Sequence, residues 1–154
     1  MQVPKLPGQS HHYWLEEQEA EIVYTLGRLL THPNCRVIGQ NFLYDTQYIW
    51  KHWKFLPNVQ WDTMMAHHLL FVMMPKALHF LSSIYCENHV YWKDEGKEWD
   101  PSIPEDQFWR YNCQDSVRTW EIARQERHAI QTSNLEVQWQ FKLALWWAAL
   151  ESMI

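Results

Sequence analysis

Three short segments carry the side chains best suited to chemistry: Gly39-Gln-Asn-Phe-Leu-Tyr-Asp45, Trp61-Asp-Thr-Met-Met-Ala66 and Tyr111-Asn-Cys-Gln-Asp115. Phosphodiester hydrolysis by two metals needs carboxylates that hold cations about 4 Å apart across the scissile phosphate. Asp45 falls just past a short apolar run and at the start of a helical stretch. That places it at the carboxyl end of a strand, where α/β sheets bind ligands. Tyr111 and Asp115 are four residues apart, so on a helix they face the same way. One of them then coordinates a cation while the phenol orients an attacking water. Each segment taken alone also has a plainer reading. Asp45 serves as a helix-capping carboxylate, Tyr111 and Asp115 form an exposed surface pair, and Asp62 caps the helix that follows it, with Thr63 structural.

Other chemistries find little support. Three cysteines, Cys35, Cys86 and Cys113, are an odd number without CxxC spacing, which argues against a disulfide framework and a zinc knuckle. The nine histidines form neither HExxH nor a zinc-finger set, and the adjacent His67 and His68 point about 100° apart on a helix. A formal charge of −5 argues against broad coating of duplex DNA. It leaves room for a carboxylate site that binds cations first. Lys76, Lys93 and Lys97 read as solvated surface lysines rather than phosphate contacts. No apolar run reaches the roughly 18–20 residues of a bilayer-spanning helix, and the first residues lack a signal-peptide core, so no membrane partner and a cytoplasmic location are expected.

The elements that must position these groups can be read from periodicity. Residues 1–13, with Pro4, Pro7 and Gly8, form an extended lead-in. A helix then runs from Trp14 to about Thr31, with Leu15, Ile22, Val23, Leu26, Leu29 and Leu30 on one face and acidic residues in its first turns. A short strand over Arg36–Asn41 leads into a helix over Leu43–Trp53, and a second strand over Val59–Asp62 runs directly into a helix over Thr63–Val72 that Pro75 breaks. Leu78, Leu81, Ile84 and Tyr85 mark a further helix, residues 92–106 a charged connection, and helical periodicity resumes at about Glu105 and continues through Tyr111, Asp115, Val117, Trp120 and Ile122. An apolar helix closes the chain over about Glu136–Ile154. The tryptophans recur among Leu and Ile at helical spacing and read mostly as core. The order helix, strand, helix, strand and then helices predicts an α/β domain with a very small sheet.

In this order and context the three segments resemble the proofreading 3′–5′ exonuclease domain of family A DNA polymerases, within the DEDD exonuclease superfamily. The Gly-Gln-Asn-x-x-Tyr-Asp stretch resembles the family's second motif and Tyr111-x-x-x-Asp115 its third. The likeness continues through Asp62-Thr-Met-x-Ala and Pro75-Lys-Ala-Leu-His-Phe-Leu-Ser-Ser-Ile-Tyr, and spans roughly residues 14–154. Tyr91-Trp-Lys-Asp-Glu-Gly-Lys is similar to phage-type members, which implies a phage-infected or bacterial cell.

The resemblance implies a helix-rich, truncated ribonuclease-H-like fold with a residual two-stranded parallel sheet. It implies a partial exonuclease domain over 14–130 and, over 131–154, the helix that leads into a polymerase domain. Asp45, Tyr111 and Asp115 take the catalytic positions, with Asp45 and Asp115 on the metal. Gln40, Asn41 and Tyr44 border the single-stranded DNA 3′ end, with hydrogen bonding inside the turn as a close alternative for Asn41. The cofactors are Mg²⁺ or Mn²⁺, two in the complete family site and at most one held well here.

The family's first motif, Asp-x-Glu on a strand, has no counterpart. Glu17-Gln-Glu19 has the spacing, but on a helix its carboxylates diverge. The expectation is therefore a chain without activity of its own, partnered by a polypeptide that supplies the missing strands and the polymerase domain. A non-catalytic module that binds single-stranded DNA or protein is the alternative. On the truncated reading the Arg36–Asn41 strand keeps an unpaired edge, and Trp146, Trp147 and Leu150 have little domain to pack on.

Overall fold

The computed structural model describes residues 14–92 and 105–154. The lead-in over 1–13 and the connection over 93–104, with Lys93 and Lys97, lie outside the described residues. Six helices and two strands follow in the order α1 (Glu16–Leu30), β1 (Val37–Gly39), α2 (Phe42–Trp53), β2 (Val59–Asp62), α3 (Thr63–Leu70), α4 (Leu78–Tyr85), α5 (Glu105–Thr132) and α6 (Glu136–Glu151). β1 and β2 pair in parallel, with Gly39 opposite Asp62 and Ile38 opposite Trp61. A parallel pair needs a crossover between its strands, and α2 supplies it. The result is the helix-rich α/β arrangement with a two-stranded parallel sheet expected of a reduced ribonuclease-H-like exonuclease fold. Among the described residues no helix is long and apolar enough to cross a membrane.

Several boundaries differ from the sequence expectation, each for a local reason. β1 stops at Gly39 because the chain turns at Asn41, which adopts a left-handed conformation (φ 52°). Asn tolerates that geometry better than most residues. α3 ends at Leu70, ahead of Val72 and Pro75, as Phe71 leaves helical geometry, and the Lys76 ammonium then donates to the Val72 and Met74 carbonyls at 3.0 Å. α2 ends on Lys54 and α5 is followed by Asn134, both left-handed; beyond Asn134 the Leu135 N–H reaches back to the Ile130 carbonyl at 2.9 Å.

The core is built in three clusters. Trp61, Ala66, Ala123, Ile130 and Trp139 join β2, α3, α5 and α6, with the Trp61 and Trp139 rings 4.1 Å apart. Leu78, Leu81, Cys86, Trp92 and Ile122 join α4 to α5. Val59, Trp146 and Leu150 join β2 to α6. That last cluster corrects an expectation. Trp146 and Leu150 are buried, because α6 folds back over β2 and α2, where Phe42, Leu43 and Leu56 pack against them.

Two other apolar sets are less covered than their periodicity suggests. α1 has no buried residue, and Ile22, Leu26 and Leu29 on its apolar face stay exposed. Of the tryptophans, Trp61, Trp92, Trp139 and Trp146 are core, whereas Trp109 and Trp120 are exposed. α5 fully buries only the stripe Thr119, Ile122, Ala123, Glu126 and Ile130, and flanking residues such as Tyr111 and Asp115 are half-buried.

Within that stripe Glu126 is fully buried, accepting a hydrogen bond from the Trp61 indole at 3.1 Å while its second oxygen has no partner. Burial pushes its carboxyl pKa up to about 9, with the Trp61 bond pulling down and the charge of Asp62 adding to the rise. A folded-state value above the unfolded one means that the native state binds the extra proton. Its stabilising effect is complete below the unfolded value near 4.5 and is lost as pH climbs through about 9. Stability should accordingly fall between pH 5 and 9. Glu126→Gln should flatten that slope and raise unfolding free energy at pH 8 by about 1–3 kcal/mol, with little gain at pH 5. Denaturant melts across this range check it; an unchanged slope in the variant contradicts the assignment.

Candidate active site

The two strands end side by side, and their carboxyl ends are organised by one side chain. Asp62, 1% exposed, caps α3 by accepting from the Met64 and Met65 N–H groups at 3.0 and 3.3 Å. The same carboxylate accepts from the Asn41 and Phe42 N–H groups at 3.2 and 2.8 Å, and from the Trp146 indole at 3.3 Å. One carboxylate thus serves the N-termini of both α2 and α3, where orphan amides and the helix dipoles favour negative charge. Burial raises its carboxyl pKa, opposed by these hydrogen bonds. The cap expected at Asp62 is present, and it reaches further than the sequence indicates.

The turn between β1 and α2 is drawn tight against this centre. A Cβ on Gly39 would collide with the Cβ and ring of Phe42, so the position needs glycine. The Gln40 amide is committed locally: its nitrogen donates to the Lys76 carbonyl at 2.8 Å, and its oxygen accepts from the Thr63 hydroxyl. Asn41 makes no side-chain cap bond, and both Asn41 and Tyr44 are exposed.

Asp45 follows in the first turn of α2, exposed at the rim of a cleft of about 620 Å³. The surrounding chain desolvates it enough to raise its carboxyl pKa, against a backbone hydrogen bond that lowers it, and the charge of Asp62 adds to the rise. Asp115 on α5 lines the same cleft, beside Asn112 and Ser116 and facing Gly39, Gln40 and Phe42. Residues 70 positions apart in the chain are in this way brought to one opening. Arg36 and Ile38 also border it, so the cleft lies along β1, whose only strand partner among the described residues is β2. Tyr111, one turn before Asp115, is half-buried and packs against the Leu78–Trp92 cluster rather than lining the cleft.

Sequence reasoning missed Trp92. Its indole donates to Asp115 at 2.7 Å while its ring, 2% exposed, packs among Leu78, Leu81 and Ile122. The bond ties the Asp115 carboxylate to the core between α4 and α5. Nothing in the local pattern distinguishes Trp92 from the other tryptophans.

The donors at the cleft are oxygens, the type that Mg²⁺ and Mn²⁺ prefer. Among the described residues no three His, Cys, Asp or Glu come together as a metal cluster. Among the same residues, Asp45 and Asp115 are the two carboxylates that line the cleft, fewer than a two-metal centre uses.

With the geometry in place, the class is an α/β domain carrying a carboxylate-lined cleft at the strand ends. A family model described as 3′–5′ exonuclease matches residues 7–128, and the chain belongs to that family. No curated protein and no solved structure matches it.

Two variants probe the architecture. Asp62→Asn turns some acceptor capacity into donors that face N–H groups, and should cost at least about 2 kcal/mol in unfolding free energy; a melt like that of the parent would contradict the shared cap. Trp92→Phe keeps most of the ring volume and removes the N–H, which should cost about 1–3 kcal/mol by denaturant titration.

Proposed function

We propose that this chain forms part of a DNA-degrading 3′–5′ exonuclease of the proofreading type associated with family A DNA polymerases, of phage-type lineage. The observation that carries the reading is the convergence of Asp45 and Asp115, from α2 and α5, on one cleft beside the strand ends. In this reading the two carboxylates hold a divalent cation, Mg²⁺ or Mn²⁺. When bound, it offsets charge on the scissile phosphate and activates the attacking water. Trp92 holds Asp115 in orientation, and the role of Tyr111 in this reading, orienting the attacking water, requires its side chain to turn from the Leu78–Trp92 cluster toward the cleft. Asn41 and Tyr44, exposed at the mouth of α2, border the single-stranded 3′ end; Gln40 supports them from within the turn.

The partner in this reading is a polypeptide that brings an Asp-x-Glu strand and a polymerase domain. Its strand lies along the cleft at the edge of β1 opposite β2. A second reading, a non-catalytic module that binds single-stranded DNA, is favoured by one feature: among the described residues only two carboxylates meet at the cleft.

A 5′-labelled oligonucleotide with Mn²⁺, resolved on a denaturing gel, separates the two. The chain alone should release no 3′ nucleotides above background. A separate polypeptide carrying the Asp-x-Glu strand should restore cleavage, and Asp45→Ala or Asp115→Ala should then lower it by about 10²-fold or more, since members of one catalytic unit act together. Failure of every such complementation supports the binding module. Digestion by the chain alone that is lost on Asp115→Ala would instead mean that its own carboxylates suffice. Single-strand binding should be weak and should strengthen with Mn²⁺, through cations bridging the acids to phosphate.

A further inference from the structure

α2 carries a row of rings that neither the core nor the carboxylate site uses. Tyr44, Tyr48 and His52 follow at four-residue intervals, a spacing that sets them one above another on a helix. The Tyr44 and Tyr48 ring centroids are 4.8 Å apart, and Tyr48 and His52 are stacked at 6.3 Å with 15° between their planes. All three are exposed, Tyr44 at 55% and Tyr48 at 44%. With Phe42, Ile49 and Trp53 they border a hollow of about 470 Å³ that includes Asp45. Phe42 and Asp45 also border the carboxylate cleft, so the two openings adjoin there.

Charge changes sign along the same helix. The chain as a whole carries −5, yet from Thr46 to Lys54 the ionisable groups other than Tyr48 are Lys51, His52 and Lys54, with no acid. Lys51 and Lys54 share with Tyr48 the lining of a neighbouring hollow of about 400 Å³. Exposed rings interleaved with cations are what sequence-tolerant single-strand binding requires, because every base offers a π-face and every linkage a negative charge.

We infer that this face of α2 is a stacking track for single-stranded DNA. Bases lie across Tyr44, Tyr48 and His52, phosphates meet Lys51 and Lys54, and the strand is led to Asp45. The choice of DNA as occupant rests on the exonuclease reading; the track itself rests on the ring spacing, the exposure and the charge. It contributes binding that needs no metal.

The test is fluorescence anisotropy of a labelled oligo(dT) with the full chain in EDTA, with circular dichroism confirming that each variant is folded. Tyr48→Ala combined with His52→Ala should weaken binding roughly tenfold, and Tyr48→Phe should retain it. An abasic strand of equal length should bind weakly and equally to parent and double variant. Lys51→Gln with Lys54→Gln should reduce the slope of log affinity against log salt by about 1.4. Equal binding of oligo(dT) by parent and ring variant, or of oligo(dT) and the abasic strand by the parent, overturns the track. The two readings fail separately. Loss of Mn²⁺-enhanced binding in Asp45→Ala, with ring variants neutral in EDTA, leaves the exonuclease reading standing and removes the track. Ring-dependent binding in EDTA without any Mn²⁺ enhancement does the reverse.

Discussion

The buried carboxylate of Asp62 is the constraint on which the rest of this structure depends. A parallel strand pair that feeds two helices at the same end must satisfy two sets of orphan amides in a small volume. Little water reaches them, since Asp62 is 1% exposed and the Trp146 indole bonds to it. A single carboxylate accepting from four backbone N–H groups and one indole resolves the problem. It fixes where α2 begins, and so where Asp45 projects. It also ties α6 to the strand ends through Trp146. Burial of the charge is unfavourable by itself, and charge-assisted hydrogen bonds at several lone pairs offset it.

The same economy of layers explains why the site is open. A sheet of two strands offers little surface for helices to cover. α3, α4 and α6 pack around β2 and one face of α5, while the cleft along β1 has walls of mixed character, from Arg36 and Asp45 to Leu78 and Trp120. α1 remains at the margin, tied to the start of β2 by the bond from the Asn58 N–H to the Leu30 carbonyl at 2.8 Å. Polar and apolar groups therefore coexist at the surface near the strand ends.

Much of the fold was legible because its signals are local. The apolar run at Val37–Gly39, the Asp62 cap and the prolines at 33, 57 and 75 each mark a boundary through short-range physics, and the elements lie close to those marks. Asp45 and Asp115 were legible as candidates from their place in recurring segments, and the cleft brings them together. Long-range packing was not legible. α6 is apolar on every side, so its pattern could not say that Trp146 turns toward Asp62. The bond from Trp92 to Asp115 spans 23 residues, across a charged, proline-containing connection that offers no periodicity to read. The commitment of Gln40 to Lys76 depends likewise on where the loop after α3 returns.

Trp92 belongs at once to the core between α4 and α5 and to the acid at the cleft. The alignment of Asp115 is thus subject to the cooperativity of that packing unit. Proteins open by subglobal units well before they unfold as a whole. An excursion that parts α4 from α5 would break the bond from the Trp92 indole to Asp115 while β2, α3 and α6 stay assembled around Asp62. Heat or mild denaturant would then loosen the setting of Asp115 at conditions where the global fold still reads as intact, and substitutions at Leu78, Leu81 or Ile122 would be felt at the acid without touching it.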